Sequence, residues 1–161
     1  MTNSTKKTTT KEKAKLPPNP FIHEILDLAS KQRSKVKKVE ILQEYGNPAL
    51  KSLLIWNFDD TVVSVVPAGE VPYKANEVPV GTDHTSLRKE YKHLFNFVKG
   101  GNDSLTSLRR ETMFIQMLEG LHPEEASILC LVKDKALQTK YKLTYEVIKE
   151  AYPDINWGGR S

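Results

Sequence analysis

Apolar residues recur every three to four positions in about seven stretches of this chain, the spacing that puts them on one face of a helix. The strongest pattern fills residues 94–120, two helical arms broken by Gly100 and Gly101. In the second arm Leu105, Leu108, Phe114, Ile115 and Leu118 form the apolar face, with Met113 and Met117 beside it. Asp103 or Ser104 is placed to cap that arm by accepting a backbone N–H. Arg109 and Arg110 fall outside most of the face.

The remaining helices are punctuated in the same way. Asn19-Pro20 gives a cap and a first helical residue for a helix carrying Ile22, Ile25, Leu26 and Ala29. Ser34 caps a second, with Val36, Val39, Ile41 and Leu42, that ends at Gly46. Asn47-Pro48 begins a third through Leu50, Leu53, Leu54 and Trp56. Asp83 caps the helix of Leu87, Tyr91, Leu94, Phe95 and Val98. His122-Pro123-Glu124-Glu125 starts another, through Ala126, Ile128, Leu129, Leu131 and Val132, with two acids at the positive end of the helix dipole. A last helix runs over about 143–152 and stops at Pro153.

Residues 57–83 break the pattern. The 61–66 stretch is β-branched, and Pro67, Pro72 and Pro79 rule out a long helix. An extended loop with room for a short strand is expected, serving either to drape over the core or to carry function. The fold class is therefore all-α: one compact domain of about seven short helices over residues 19–155. Residues 1–18, rich in Lys and Thr, form a disordered basic tail. Residues 156–161 form a C-terminal tail whose Trp157 can fold back or serve as an anchor.

Composition changes this picture little, and charge changes it more. With 39% hydrophobic and 27% charged residues, the 161-residue chain has the make-up of an ordinary soluble domain. No apolar run approaches the roughly 20 residues of a membrane helix, and no leader is evident, so a cytoplasmic location is expected. The lone Cys130 sits in an apolar run and is expected in the core. Of the net charge of +4, all is contributed by residues 1–16; the rest holds equal numbers of basic and acidic side chains. A global field for nucleic acid is absent, and any such binding must come from local patches.

Catalytic chemistry finds no foothold. His23, His84, His93 and His122 are scattered, none at metal-ligand spacing with another or with Cys130. There is no glycine-rich phosphate loop, and Asp59-Asp60 and Glu124-Glu125 sit at helix ends where turn and capping roles suffice. No enzyme, metal or cofactor is expected. Two basic clusters remain at inter-helix turns: Lys31, Arg33, Lys35, Lys37 and Lys38, and Lys133, Lys135, Lys140 and Lys142. Either they present charge to a phosphate backbone or they are a solvated surface balanced by glutamates.

Several stretches also carry a family likeness. Residues 25–42 place an Ile-Leu helix before a polar, lysine-rich turn and an Ile-Leu helix. Residues 50–58 have a leucine-rich helix with an aromatic end, Leu108-Arg109-Arg110 follows a Gly/Asn/Asp-rich break, and Tyr152-Pro153-Asp154-Ile155 closes the helices. In this order the chain resembles, over roughly residues 21–155, the helical N-terminal DNA-binding domain of ATP-dependent DNA ligases, above all the short bacteriophage form. The ligases' Lys-x-Asp-Gly adenylation motif has no counterpart here, and the 59–83 loop departs from the family pattern. The resemblance thus implies a stand-alone domain without the nucleotidyltransferase. It would be a non-enzymatic, sequence-independent double-stranded DNA-binding accessory protein of phage replication or repair in the host cytoplasm. The two lysine clusters would touch the backbone, with Arg109 and Arg110 either joining them or pinning the hairpin through ion pairs. The alternative is a protein-interaction module docking on a phage or host replication, transcription or virion component.

Overall fold

A computed structural model of the chain describes residues 16–76 and 85–158. Among them the helices are α1 (Ile22–Ser30), α2 (Lys35–Glu44), α3 (Pro48–Phe58) and the single turn α4 (Leu87–Glu90). A 3-10 helix (Tyr91–Phe97) continues α4, and α5 (Ser107–Gly120), α6 (Pro123–Lys133), a 3-10 turn (Leu137–Thr139) and α7 (Tyr145–Ala151) complete the order. The described residues contain no sheet, only isolated bridges joining Ser64 to Val98 and Thr85 to Leu121. The architecture is all-α, as the periodicity predicts.

The short polar residues that should start helices mostly do so. Ser34 Oγ accepts the Lys37 N–H at 3.1 Å, Asn47 Oδ1 accepts that of Leu50 at 2.9 Å, and His122 Nδ1 accepts that of Glu124 at 3.0 Å. Asn19-Pro20 is an exception. Asn19 takes a left-handed turn at φ +52°, and the chain enters α1 through Phe21. There the Glu24 carboxylate reaches back to the Phe21 N–H at 2.8 Å, while the Phe21 ring packs on His23 and His122. Carboxylates accepting backbone N–H groups, with the rings packed beside them, replace asparagine capping at this helix start. Asp83 lies outside the described residues; the residue that precedes α4 is Ser86.

The arm after α4 is a 3-10 helix because its inward residues repeat every three positions. Tyr91, Leu94 and Phe97 fall on one side at three residues per turn, and Leu94 and Phe97 are buried while Phe95 is 48% exposed. In α5 the expected cap is also displaced: Thr106 Oγ1, not Asp103 or Ser104, accepts the Arg109 N–H. The buried stripe is Phe114 and Leu118. Leu108, six residues before Phe114, lies roughly 240° around the helix and is 77% exposed. Arg110, four before Phe114, shares the inward stripe instead.

The core gathers on α3 and α6, whose Leu50, Leu53, Leu54, Ile128, Leu129 and Val132 are fully buried. α1, α4, the 3-10 helix and α5 surround this pair, while α2 packs against α1 and α7. The 59–76 loop is draped across it as expected. Val65 N–H donates to Phe97 O, Lys99 N–H to Val63 O, and Trp56 Nε1–H to Ser64 Oγ. Trp157 folds back, 3% exposed, with its ring edge-on to Tyr145 at 5.1 Å, and the Gly158 N–H donates to Asp59 Oδ2 at 2.6 Å.

One buried side chain joins three helix starts. Glu125, the third residue of α6 and wholly inaccessible, accepts the Ile22 N–H of α1 at 2.8 Å and the Leu87 N–H of α4 at 2.9 Å. Burial pushes its carboxyl above the usual range, and the two N–H bonds and the Arg88 charge oppose that shift. Glu125→Ala strands two buried donors, each costing about 1–3 kcal/mol, so the unfolding free energy should fall by about 2–6 kcal/mol in urea. Glu125→Gln, with one carbonyl oxygen, should lose less. An alanine variant with an unshifted midpoint would remove the residue from this role.

Candidate nucleic-acid interface

The two sequence clusters are only partly brought together. α2 and the irregular segment before α7 lie side by side, and Lys38 Nζ donates to the Lys142 carbonyl at 2.5 Å. This places Lys140 and Lys142 next to the basic turn between α1 and α2, although 104 residues separate Lys38 from Lys142. Around this contact lie Lys31, Arg33, Lys35, Lys37 and Lys38 of the turn and the first turn of α2, and Lys140 and Lys142 of the segment before α7. Acids are interleaved with them. Lys31 pairs with Asp27 at 2.9 Å, Lys35 with Glu150 of α7 at 3.2 Å, and Lys37 and Lys140 sit 3.9 Å from Glu40 and Glu124. Arg33 and Lys142 are exposed and make no ion pair among the described residues. Val36, expected on the apolar face of α2, is instead 62% exposed between two of these lysines, and Lys149, not singled out by the sequence, stands over the Tyr145 ring at 5.6 Å.

Three expected phosphate ligands prove to be structural. Lys133 is buried, and its ammonium donates to Pro67 O at 2.8 Å, Gly69 O at 3.0 Å and Asp134 Oδ1 at 2.6 Å, tying the loop to the end of α6. Lys135 adopts φ +55° and donates to Trp56 O at 2.5 Å and Asp59 O at 2.8 Å, covering carbonyls at the C-terminus of α3. Burial lowers its pKa, against the pull of Asp60 and Asp59. Arg110 donates to the carbonyls of Asn96, Asn102 and Leu105 and so pins the hairpin, through backbone oxygens rather than ion pairs. The glycines there are required by shape: Gly100 has φ +87°, and a Cβ on Gly101 would lie 1.8 Å from Phe95 O. Arg109 is exposed but belongs to a different region, a cleft of about 390 Å³ between the 3-10 helix and α5, beside His93 and Met113.

Cys130 is half-buried rather than a core residue. Its thiol meets the Tyr73 hydroxyl at the rim of the draped loop, and burial pushes it above the usual thiol range. Asp59 is a turn residue, accepting from Thr61 N–H at 2.9 Å and Thr61 Oγ1–H at 2.7 Å as well as from Gly158. No cluster of three or more His, Cys, Asp or Glu side chains suited to a metal ion occurs among the described residues. Nor is any helix there long and apolar enough to cross a membrane.

These features define a small all-helical domain with one mixed but predominantly basic face. A family of unknown function (DUF6433) matches residues 25–139, and the chain belongs to that family. No curated protein and no solved structure matches it, and so no match links it to the DNA ligases.

Removing Lys133 separates the structural lysines from those of the face. Lys133→Ala takes the cation from an exposed Asp134 and leaves two loop carbonyls bare, and should cost about 1–3 kcal/mol, read as a lowered thermal midpoint. Lys142→Ala should leave that midpoint within experimental error.

Proposed function

We propose that the protein is a non-enzymatic accessory protein that binds the phosphate backbone of double-stranded DNA, without sequence preference, through the face of Lys31, Arg33, Lys35, Lys37, Lys38, Lys140 and Lys142. The observation that carries this reading is the contact of Lys38 with Lys142, which joins charges from two distant stretches into one surface. No cofactor is required, because the mechanism is charge neutralisation with release of condensed counterions.

The placement of lysines on α2 supports it. Lys35, Lys37 and Lys38 occupy the first turn of that helix, which holds no acid. A cation at a helix N-terminus is unfavourable by about 0.3–1 kcal/mol, an effect that Glu150 and Glu40 offset only in part through exposed pairs with Lys35 and Lys37. A phosphate would meet both the lysines and the positive helix end. The four interleaved ion pairs are a minor obstacle, since exposed pairs are worth about 0–1 kcal/mol each. Phosphates can take over those lysines at small cost. The neutral body implies modest affinity, and the lysine-rich residues 1–16 add non-specific attraction.

A second reading is that the domain docks on another protein. The exposed Leu108 and Phe95 on the hairpin favour it. The two are separated by mobility shift on duplex DNA at about 50 and about 200 mM salt. Binding should weaken steeply with salt, and Arg33→Ala with Lys142→Ala should flatten the log–log slope by about one unit per charge removed. No binding at the lower salt would sink the DNA reading. Loss of all affinity on deleting residues 1–18 would assign binding to the tail alone.

A further inference from the structure

α1 and α6 begin side by side, and both begin with rings. Phe21 precedes α1, His23 is its second residue, and His122 precedes α6. The His23 and His122 rings stack at 4.8 Å and 28°, and Phe21 closes the group at 5.5 Å from His23 and 4.9 Å from His122. His122 does more than pack. Its Nδ1 accepts the Glu124 N–H and so caps α6, where serine, aspartate or asparagine is usual. A ring nitrogen that accepts must be unprotonated, and a proton there would turn it into a donor and abolish the cap. His23 Nδ1 is buried with no hydrogen-bond partner among the described residues. Both imidazoles lie at positive helix ends, where a cation is disfavoured.

The charged groups around the pair act in both directions. Glu24 from α1 and Glu124 from α6 favour a cation on His23; His122 and Lys140, the latter from the segment before α7, oppose it. Glu24 is already bonded to the Phe21 N–H, and Glu125, with Arg88 beside it, to the starts of α1 and α4. Burial is the largest influence, and His23 is held below its ordinary 6.5. The unfolded chain therefore takes up this proton first as pH falls. The stability contributed by a neutral His23 is complete above 6.5 and is lost as the pH drops below it.

From this arrangement we infer that His23 and His122 form a proton-released clasp between the starts of α1 and α6, closed when both rings are neutral and opened by acidification. Opening frees the Glu124 amide and separates the three rings. It also loosens the Lys140–Glu124 pair, through which the clasp reaches the basic face. The clasp stands or falls independently of phosphate binding, because its readouts need no nucleic acid.

Amide hydrogen exchange of the full chain from about pH 7.5 to about pH 5, the range in which histidine titrates, is the test. The comparison protein carries His23→Phe and His122→Asn, which keep a ring and a capping acceptor but cannot titrate. In the wild type, exchange at Glu124, corrected for its intrinsic pH dependence, should accelerate by up to about tenfold per pH unit for each proton taken up on opening. In the double variant the corrected rate should stay flat. Equal pH dependence in the two proteins overturns the clasp, as does titration of both imidazoles with no loss of protection at Glu124. Should the double variant fail to fold, His122→Asn alone should remove the share of the pH dependence owed to the His122 proton, and a slope equal to that of the wild type overturns the clasp.

Discussion

The carboxylate of Glu125 takes one backbone N–H from α1 and one from α4 while standing in the first turn of α6, so that three helix starts share one buried negative charge. Each of those starts presents unpaired N–H groups and a positive dipole end. Brought together without an anion they would repel and leave donors stranded in the core. The sequence supplies the anion from within one of the three helices, so its position is fixed by the backbone of α6.

The complementary need is met by cations on carbonyls. Lys135 covers the end of α3, Lys133 holds the turn at Pro67 and Gly69, and Arg110 gathers three carbonyls of the hairpin. In each case a long side chain satisfies several main-chain acceptors of an irregular segment that has no ladder partner. This explains how the irregular stretch at Pro67 and Gly69 is held against the helices. It also explains why lysine count is a poor guide to its surface potential: several positive charges are consumed inside the fold.

Much of the fold was legible from punctuation. Ser34, Asn47-Pro48 and His122-Pro123 mark helix starts by local chemistry that the structure repeats, and the apolar periods of α1, α3 and α6 point to the observed core. Some of the misreadings are errors of phase rather than of period. Leu108 fits the composition of an apolar face but is out of step with Phe114, and Arg110 is in step with it. Lys133 follows Leu129 by one helical turn and lies on the stripe of Glu125, Ala126 and Val132, a signal that it points inward. The three-residue spacing of Tyr91, Leu94 and Phe97 likewise distinguishes a 3-10 helix from an α-helix. The juxtaposition of α2 with Lys142 was not legible, because it depends on how α7 packs and no local pattern encodes that.

The fold-back of Trp157 and Gly158 bears on how a family is delimited. The residues matched to the family, 25–139, leave out Ile22, which supplies one of the amides held by Glu125. They also leave out α7, which covers one side of α2, and the tryptophan that ties the chain's end to Asp59 through its neighbour Gly158. A polypeptide cut to the matched span would expose the flank of α2 and leave an N–H acceptor idle in its centre. The span over which relatives align and the span that makes a self-sufficient folding unit are different lengths of this chain. Boundaries drawn for expressing the helical domain of this chain belong outside both Phe21 and Gly158.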